Sequence, residues 1–234
     1  MSVNDAPTPY PSGGSATKPL ERLMQFRVSH KAAAETSSIP DSLSTIEHLS
    51  VSSATHTRTL VLRAFKNSAQ QTVQFQILNP ANGETVTATT PEQAGGNFLV
   101  NPGDPLSTRN DLFKSAITRG STELWNFANT TSVTHPMHVH LQHLQVLERQ
   151  LFDVYGYLHT GVLSYLAPPE IITNPQDLHF DPGMSGWKNT VRTDPGYVTQ
   201  ILIKFNSTNT GEYVVHCHIL EHKDNDMMRS FYVQ

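Results

Sequence analysis

Residues 214–228, VVHCHILEHKDNDMM, restrict the fold of this chain more than any other stretch. They include the only cysteine among 234 residues. The side chains of metal-ligand type in this stretch are His216, Cys217, His218, His222 and Met227. A thiolate, imidazoles and a thioether favour copper, and two His and one Cys with a weak axial Met are typical of a blue, electron-transferring copper site. The sequence therefore predicts a copper site at this stretch.

The residues just before the cysteine predict a β-strand. Residues 211–215 read GEYVV, and successive side chains on a strand point to opposite faces of the sheet. Cys217 is therefore expected on one face, with His216 and His218 on the other. One strand can serve two metal sites in this way, and the short covalent path between the sites can carry electrons.

Two alternatives compete with copper at this stretch. A lone cysteine is often a buried small hydrophobic residue, and a cysteine with nearby histidines can bind zinc. A zinc hydrolase also needs an acidic general base, and only Glu221 is near. Five residues of ligand type within twelve positions favour copper over both alternatives.

A second group of histidines lies upstream in residues 134–147, THPMHVHLQHLQVL. His138 and His140 share a face on an extended chain because they are two residues apart. His135 is separated from them by Pro136, which has a fixed φ and no N–H group. We therefore predict two ligand sets, namely His135, Cys217 and His222 on one side and His138, His140, His216 and His218 on the other.

The two segments together resemble a known signature. HPMHVH followed by HCHILEHKDNDMM is similar to the C-terminal copper signature of the multicopper oxidases, in particular the spore-coat laccase and bilirubin oxidase group. Further similar segments are MQFRV at 24–28, RTLVL at 58–62, TELW at 122–125 and GWKNTV at 186–191. The resemblance implies a C-terminal cupredoxin domain of such an oxidase.

The resemblance also implies a role for each ligand. His135, Cys217 and His222 correspond to the type 1 copper ligands with Met227 axial, His138 to a type 2 ligand, and His140, His216 and His218 to type 3 ligands. In that family eight histidines bind the trinuclear cluster, and four of them come from two His-x-His motifs in the first domain. No further His-x-His occurs here, so we expect a missing N-terminal domain or a partner chain to supply the other half.

One position departs from the family pattern. The related oxidases usually carry a glutamate directly after the second type 1 histidine, where it is thought to help deliver protons to oxygen. Here that position is Lys223, with Asp224 and Asp226 nearby. The departure concerns proton delivery and leaves the copper ligands intact.

The activity implied by the resemblance is that of a laccase or bilirubin oxidase. A phenol, an aryl amine or a bilin-like reductant gives single electrons to the type 1 copper at His222, Cys217 passes them on, and O₂ is reduced to water. The alternative is a stand-alone blue-copper electron-transfer domain, or an orphan copper-binding domain without catalysis.

The rest of the chain predicts an all-β fold. Runs of β-branched and aromatic residues are separated by Asn-Pro, Gly-Gly, Pro-Gly and Asn-Gly pairs. These runs are residues 58–65, 72–78, 122–128, 143–152, 197–205 and 211–218. Six or more short strands indicate a β-sandwich or barrel. With the ligand set, this means a cupredoxin-like Greek-key fold.

Composition sets the domain boundaries and excludes some partners. Residues 1–20 are rich in Pro, Ser, Gly and Thr, which predicts a flexible linker or a remnant of a preceding domain, and residues 21–234 are predicted to form the copper-binding domain. The start lacks the pattern of a secretory signal. A net charge of −4 does not indicate nucleic acid, and no apolar run approaches the roughly 20 residues of a membrane-spanning helix.

Two long loops and two sequence triplets stay open. Residues 79–111 and 154–182 are predicted loops, and loops of this length are often functional. In one interpretation, the loop at 154–182 borders the type 1 site and shapes an aromatic substrate pocket. In the other, it is an exposed surface loop without a functional role. Asn129-Thr130-Thr131 and Asn206-Ser207-Thr208 fit the N-glycosylation pattern, which is common by chance.

Overall fold

The computed structural model describes residues 27, 37–41, 43, 45–94, 112, 113 and 115–234. The described residues between 48 and 234 belong to one compact unit. The predicted linker at 1–20 and most of the MQFRV segment lie outside the described residues. Within the described ranges, none of the helices has the length and apolar character that crossing a membrane requires.

Nine strands of the described residues form two sheets. The strands are β1 (Ala54–Lys66), β2 (Thr72–Leu78), β3 (Thr122–Asn129), β4 (His135–Val139), β5 (His143–Leu151), β6 (Thr190–Thr193), β7 (Tyr197–Lys204), β8 (Gly211–Cys217) and β9 (Met228–Val233). The five-stranded sheet has the order β2-β1-β3-β7-β5, and the four-stranded sheet has the order β6-β4-β8-β9. Only β1 and β3 pair in parallel among these strands.

Helices are short and lie in the connections. They are α1 (Pro91–Ala94), α2 (Val154–Thr160) and α3 (Leu220–Lys223), with single 3₁₀ turns at Val51–Ser53, Pro80–Asn82 and Pro182–Met184. Asp153 caps α2, because its carboxylate accepts a hydrogen bond from the Gly156 N–H. The helix thus starts inside the segment that the sequence predicted as a loop.

The predicted all-β sandwich is confirmed. All six predicted runs are strands, and β4 covers the HPMHV segment that the sequence predicted to be extended. The sequence analysis missed β6 and β9. These short strands are the two edges of the four-stranded sheet. β6 pairs with β4, which is distant in sequence, whereas β9 pairs with β8, the preceding strand.

The main core lies between the two sheets and contains part of the predicted metal site. Trp125 and Phe231 are fully buried, with ring centroids 5.7 Å apart in a T-shaped contact. Cys217 and Met227 are also completely buried and belong to the same hydrophobic cluster. The predicted type 1 ligands are therefore anchored in close-packed protein, which allows little side-chain movement.

A second, smaller core covers the outer face of the five-stranded sheet. It contains Val61 and Phe65 of β1, Leu78 of β2, Tyr157 of α2, and Val86 from the connection between β2 and α1. Two parts of the chain therefore pack on this face of the sheet, namely the connection between β2 and α1 and the helix α2.

A buried ion pair ties the connection that follows β2 to β9. Arg229 Nη2 donates to Glu84 Oε1 at 2.9 Å, and both side chains are at most 7% exposed. We expect Glu84→Gln to lower the free energy of unfolding by about 3 kcal/mol, because it leaves a buried guanidinium without its carboxylate. Urea denaturation measures this change.

The matched control is Asp224→Asn. It breaks the exposed pair between Lys223 Nζ and Asp224 Oδ1, which are 3.5 Å apart, and an exposed pair contributes less than about 1 kcal/mol. Equal losses in the two variants would contradict the assigned role of the buried pair.

Candidate metal centre

The pairing of β4 with β8 sets the positions of most predicted ligands. Met137 lies opposite Cys217 and His138 lies opposite His216 in this antiparallel pair. Directly opposed residues project to the same face of a sheet. Cys217 therefore faces the core, whereas His138 and His216 project together from the other face.

The separation of His135 from His138 has a different cause from the one that the sequence suggested. Residues His135–Val139 form one continuous strand, with Pro136 paired to Arg192 of β6. His135 is buried and His138 is half-buried because they are three residues apart on a strand and thus face opposite sides. Strand alternation explains the split without any effect of the proline.

His135, Cys217 and His222 form the first cluster, called here the Cys217 cluster. The Nδ1 atoms of the two histidines are 3.1 Å apart. Cys217 Sγ is 3.6 Å from each of these nitrogen atoms. Three donor atoms thus converge on one point from β4, β8 and α3.

A tight loop brings His222 and Met227 to the cysteine. The Cys217 N–H donates to the Met227 carbonyl at 3.0 Å, and the Met227 N–H donates to the His222 carbonyl at 3.0 Å. Helix α3 carries His222 between these two contacts. Residues 217–227 therefore close into one structural unit, with Met227 buried beside the cluster residues.

His135 is held in a defined tautomer by Thr131. The Thr131 hydroxyl lies 2.7 Å from His135 Nε2 and 2.8 Å from the Asn129 side-chain oxygen. The hydroxyl hydrogen goes to Asn129, so its oxygen accepts the Nε2–H of His135. This leaves the lone pair of His135 on Nδ1, the atom that faces Cys217. A hydrogen bond of this kind to the second ring nitrogen of a metal-binding histidine raises metal affinity.

Asn129 braces this arrangement and is not a glycosylation site. Its side chain is completely buried, and its amide donates to the Val133 and Thr193 carbonyls at 2.9 and 3.0 Å. A buried, fully bonded amide has no room for a glycan. The N-x-T pattern at 129–131 is therefore a structural brace for His135.

An aromatic ring covers the two histidines of the Cys217 cluster. The Phe75 ring stacks on His222 with centroids 4.1 Å apart and meets His135 edge-on at 5.7 Å. Its backbone N–H donates to the Asn225 carbonyl at 3.2 Å, which ties β2 to the loop after α3. Phe75 thus shields the cluster from water on this side.

Burial keeps the imidazoles of the Cys217 cluster neutral. Desolvation, together with the neighbouring His222, lowers the pKa of His135 to about 3, and desolvation also lowers the pKa of His222. Burial raises the pKa of the Cys217 thiol to about 11. A metal that binds here therefore meets two ready imidazoles and displaces one thiol proton.

His138, His140 and His216 form the second cluster, which with His218 is called here the imidazole cluster. The Nε2 atoms of His140 and His216 are 3.1 Å apart. His138 donates Nδ1–H to the Asn189 carbonyl at 2.8 Å, and His216 donates Nδ1–H to the Cys217 carbonyl at 2.9 Å. Both therefore keep a free Nε2 lone pair.

His218 stands at the edge of the imidazole cluster. It is exposed and follows the last residue of β8. Its ring centroid is 5.5 Å from those of His138 and His216. All four predicted histidines thus gather on one face, with three close enough to share an ion.

The donor set of the Cys217 cluster suits a single metal ion. Bonds of about 2.0–2.1 Å to His and about 2.3 Å to Cys separate neighbouring donor atoms by about 3.3–3.8 Å. The observed separations of 3.1, 3.6 and 3.6 Å lie close to this range. Two imidazoles with a thiolate select a soft transition metal, and the trigonal His₂Cys set is that of blue copper.

Comparison with known proteins gives the family. The family model described as multicopper oxidase matches residues 67–234. The chain belongs to the multicopper oxidase family. A multicopper oxidase from Aquifex aeolicus superposes with a TM-score of 0.54 and 26% identity over 84% of this chain and 33% of that one. The predicted cupredoxin-like fold is confirmed.

Curated relatives of this multicopper oxidase chain carry the name laccase. The laccase of Bacillus subtilis is 44% identical over 110 residues, which cover 47% of this chain and 20% of that protein. The laccase of Bacillus stratosphericus is 35% identical over 72% of this chain and 32% of its own length. Arabidopsis thaliana multicopper oxidase LPR2 is 28% identical over 98% of this chain. The chain spans 20% to 37% of the length of these relatives.

Sequence reasoning missed the residues that support the ligands of this oxidase. Thr131, Asn129 and Phe75 belong to no copper motif. Phe75 meets His222 from a distant strand, whereas Thr131 reaches His135 from four residues away in the same segment. The only available signal was the position of the Asn-Thr-Thr triplet four to six residues before His135. Lys223 stands where the related oxidases usually carry a glutamate. Its Nζ atom lies 3.5 Å from Asp224 Oδ1, so this lysine pairs with the adjacent acid.

The hydroxyl of Thr131 is predicted to matter for copper binding. Thr131→Val removes the acceptor of His135 Nε2–H, so we expect copper affinity of the Cys217 cluster to fall about tenfold, as for other supporting residues of metal-bound histidines. A competition titration with a copper chelator measures this, with a shift of the visible band as a second readout.

Thr130→Val is the matched control for this experiment. The Thr130 hydroxyl donates to the Leu62 carbonyl at 2.7 Å and does not contact His135. Its copper affinity is expected to match the unmodified chain. A fall of the same size in both variants would show that Thr131 has no specific role.

Proposed function

We propose that this chain is the C-terminal copper domain of a laccase-type multicopper oxidase. The observation that carries the proposal is the Cys217 cluster, in which two imidazoles and one thiol converge within 3.6 Å of one another. The family match and the laccase names of relatives support it. Residues 21–234 form the domain in this proposal, with residues 1–20 as a linker or remnant.

His135, Cys217 and His222 are proposed as the type 1 ligands, with Met227 as the axial ligand. When bound, copper supplies a one-electron acceptor at this position. The protein holds the two imidazoles neutral, fixes His135 through Thr131 and excludes water with Phe75. These contacts favour a site whose geometry stays the same in both oxidation states, which is the requirement for fast electron transfer.

The imidazole cluster is proposed as half of a trinuclear copper site. His138 is assigned to the type 2 copper, and His140, His216 and His218 to the type 3 pair. His138 and His140 are half-buried, His218 is exposed and His216 is buried, so three of the four imidazoles are accessible for completion of the site from outside. The other four histidines are proposed to come from two His-x-His motifs of an N-terminal domain or a partner chain.

The chain itself links the two proposed sites. Cys217 contributes its sulfur to the first cluster, and its carbonyl oxygen accepts the Nδ1–H of His216 in the second cluster at 2.9 Å. An electron that arrives at Cys217 therefore has a path of one residue and one hydrogen bond to the imidazole cluster.

The proposed reaction couples four single-electron oxidations to the reduction of one O₂. Phenols, aryl amines or bilin-like compounds supply the electrons next to His222, the only half-exposed ligand of the Cys217 cluster. Four electrons and four protons convert O₂ to two molecules of water. The complete turnover requires the proposed second half of the imidazole cluster.

Copper stoichiometry of the purified chain, recorded with its visible spectrum, tests the proposal. We expect about one tightly bound copper with an intense thiolate band, because only the Cys217 cluster has its full ligand set within the chain. The chain alone is expected to show no O₂ uptake with phenols. A stand-alone electron-transfer domain would give the same two results. Addition of a protein with two His-x-His motifs distinguishes the two functions, because it is expected to produce O₂ uptake only if the chain is half of an oxidase.

Cys217→Ser is expected to abolish the visible band completely, because the band requires copper–thiolate bonding. His159→Gln serves as the matched control, since His159 contacts Tyr155 on α2 and lies outside both clusters. Persistence of the band in Cys217→Ser, or its absence from the unmodified copper-loaded chain, would overturn the proposed function.

Met227→Leu is expected to keep the visible band and raise the reduction potential of the bound copper. The weak axial donor stabilises the oxidised copper more than the reduced copper. Leucine removes this donor, so the potential rises. Met184→Leu, which changes a buried methionine outside the ligand set, is the control. Redox titration followed at the visible band measures both potentials, and an unchanged potential would remove Met227 from the ligand set.

A further inference from the structure

A cavity of about 420 Å³ lies beside the Cys217 cluster. It is formed by the facing ends of β1 and β2, residues 130–133 and Leu158 of α2. Two of its lining residues also contact the cluster: Thr131 bonds to His135, and Phe75 stacks on His222. A molecule in this cavity is therefore one side chain away from both histidines. The volume suits a small organic ligand.

The lining of the cavity carries positive charge only. Arg63 and Lys66 of β1 contribute two cations, and none of the lining residues is acidic. Arg63 is half-buried, and it makes no ion pair with any residue that the structure describes. A cation that is withdrawn from water without a counter-charge is costly. An anion in the cavity would offset this cost.

The hydrogen bonds of Arg63 leave donors available for such an anion. Its Nη2 donates to the Ala88 carbonyl at 3.1 Å, and its guanidinium carbon lies 5.1 Å from the centre of the Phe65 ring. Its Nη1 makes no hydrogen bond to any residue that the structure describes and is the donor left for an anion, whereas its Nε is buried without a partner and is out of reach of a ligand in the cavity. Burial also lowers the pKa of Arg63, which is consistent with the missing counter-ion. The guanidinium is thus fixed in place but only partly satisfied.

The rest of the lining suits an aromatic ring with a polar group. Phe75 and Leu158 supply apolar walls, whereas Thr72 and Ser132 add hydroxyl groups at the exposed rim. A planar ring therefore packs between apolar side chains, with its charged end towards Arg63. A carboxylate next to Arg63 would accept a charge-assisted hydrogen bond from the guanidinium, which is stronger than a hydrogen bond between neutral groups.

We propose that this cavity selects carboxylate-bearing phenols as reductants and that Arg63 is the residue that determines this specificity. The inference rests on the proposed function, because it names the substrate class of the same copper site. The carboxylate pairs with Arg63 and Lys66, and the phenol ring lies towards Phe75 and Thr131.

The oxidation step at this position is balanced. The bound phenol loses one electron and its hydroxyl proton and becomes a phenoxyl radical. Copper held by His135, Cys217 and His222 would supply the one-electron oxidant, and the contacts Thr131–His135 and Phe75–His222 connect the cavity with these residues. The proton goes to water at the open side of the cavity, and the carboxylate keeps its charge throughout.

Binding of 4-hydroxybenzoate and of phenol to the copper-free chain tests the inference, with isothermal titration calorimetry as the measurement. We expect 4-hydroxybenzoate to bind at least about tenfold more tightly than phenol. Arg63→Gln is expected to lower the affinity for 4-hydroxybenzoate about tenfold, the effect of one partly exposed charge-assisted hydrogen bond, and to leave the affinity for phenol unchanged.

Two further variants keep the test decisive. Lys66→Gln changes an exposed side chain of the lining, and we expect it to weaken 4-hydroxybenzoate binding by a smaller factor even if Arg63→Gln fails to fold. Arg119→Gln removes an exposed arginine that contacts the Thr208 carbonyl, away from the cavity, and is expected to change neither affinity. Circular dichroism verifies that each variant is folded.

The inference is overturned if folded Arg63→Gln and Lys66→Gln bind 4-hydroxybenzoate as tightly as the unmodified chain. Displacement of 4-hydroxybenzoate by an equal concentration of inorganic phosphate would also overturn it, because the cavity would then recognise charge without the ring. Since the binding experiments use no copper, a chain that binds 4-hydroxybenzoate but develops no visible band on copper loading would overturn the proposed function alone.

Discussion

The antiparallel pairing of β4 with β8 is the constraint on which the rest of this structure depends. It sets Met137 opposite Cys217 and His138 opposite His216, so one register produces a thiol that faces the core and imidazoles that face outward. A slip of one residue would exchange the faces of every side chain on a strand. The same pairing fixes how close the two clusters are, because a single residue of β8, Cys217, contributes its sulfur to one cluster and its carbonyl oxygen to the other.

Burial and polar support act together at the Cys217 cluster. Packing against the main core holds Cys217 and Met227, and it also removes water from the imidazoles and lowers the pKa of His135. Thr131 and Asn129 then satisfy the second ring nitrogen of His135, which burial would otherwise leave without a partner. Neutral, fixed imidazoles beside a thiol make the site ready for a metal before one binds. The imidazole cluster is less enclosed, because only His216 of its four histidines is buried.

The cavity beside the Cys217 cluster lies at the facing ends of β1 and β2, next to residues 130–133 and Leu158 of α2. Phe75 and Thr131 each belong both to its lining and to the surroundings of a cluster histidine. A change that improves ligand binding in the cavity therefore also acts on the metal site. Arg63 is the residue that gives the cavity its own character, because it places a partly satisfied positive charge there without touching either cluster. In the proposed function, selection of the reductant and tuning of the metal are thus divided between neighbouring side chains.

The sequence by itself determined the side-chain types of the proposed ligands, their division between two faces and the all-β fold. These follow from local rules, since alternation along a strand and the chemistry of His, Cys and Met need no tertiary contact. Only the tertiary structure decided the strands β6 and β9, the brace of Asn129 and Thr131, the ring of Phe75 and the cavity at Arg63. The strand β6, the ring of Phe75 and the cavity join distant segments, whereas the contacts of Asn129 with Thr131 and of Thr131 with His135 are local and are held in place by the distant Thr193 carbonyl. Asn129 even carried a misleading glycosylation pattern. Such contacts depend on which strands become neighbours in space, and spacing along the chain does not encode that.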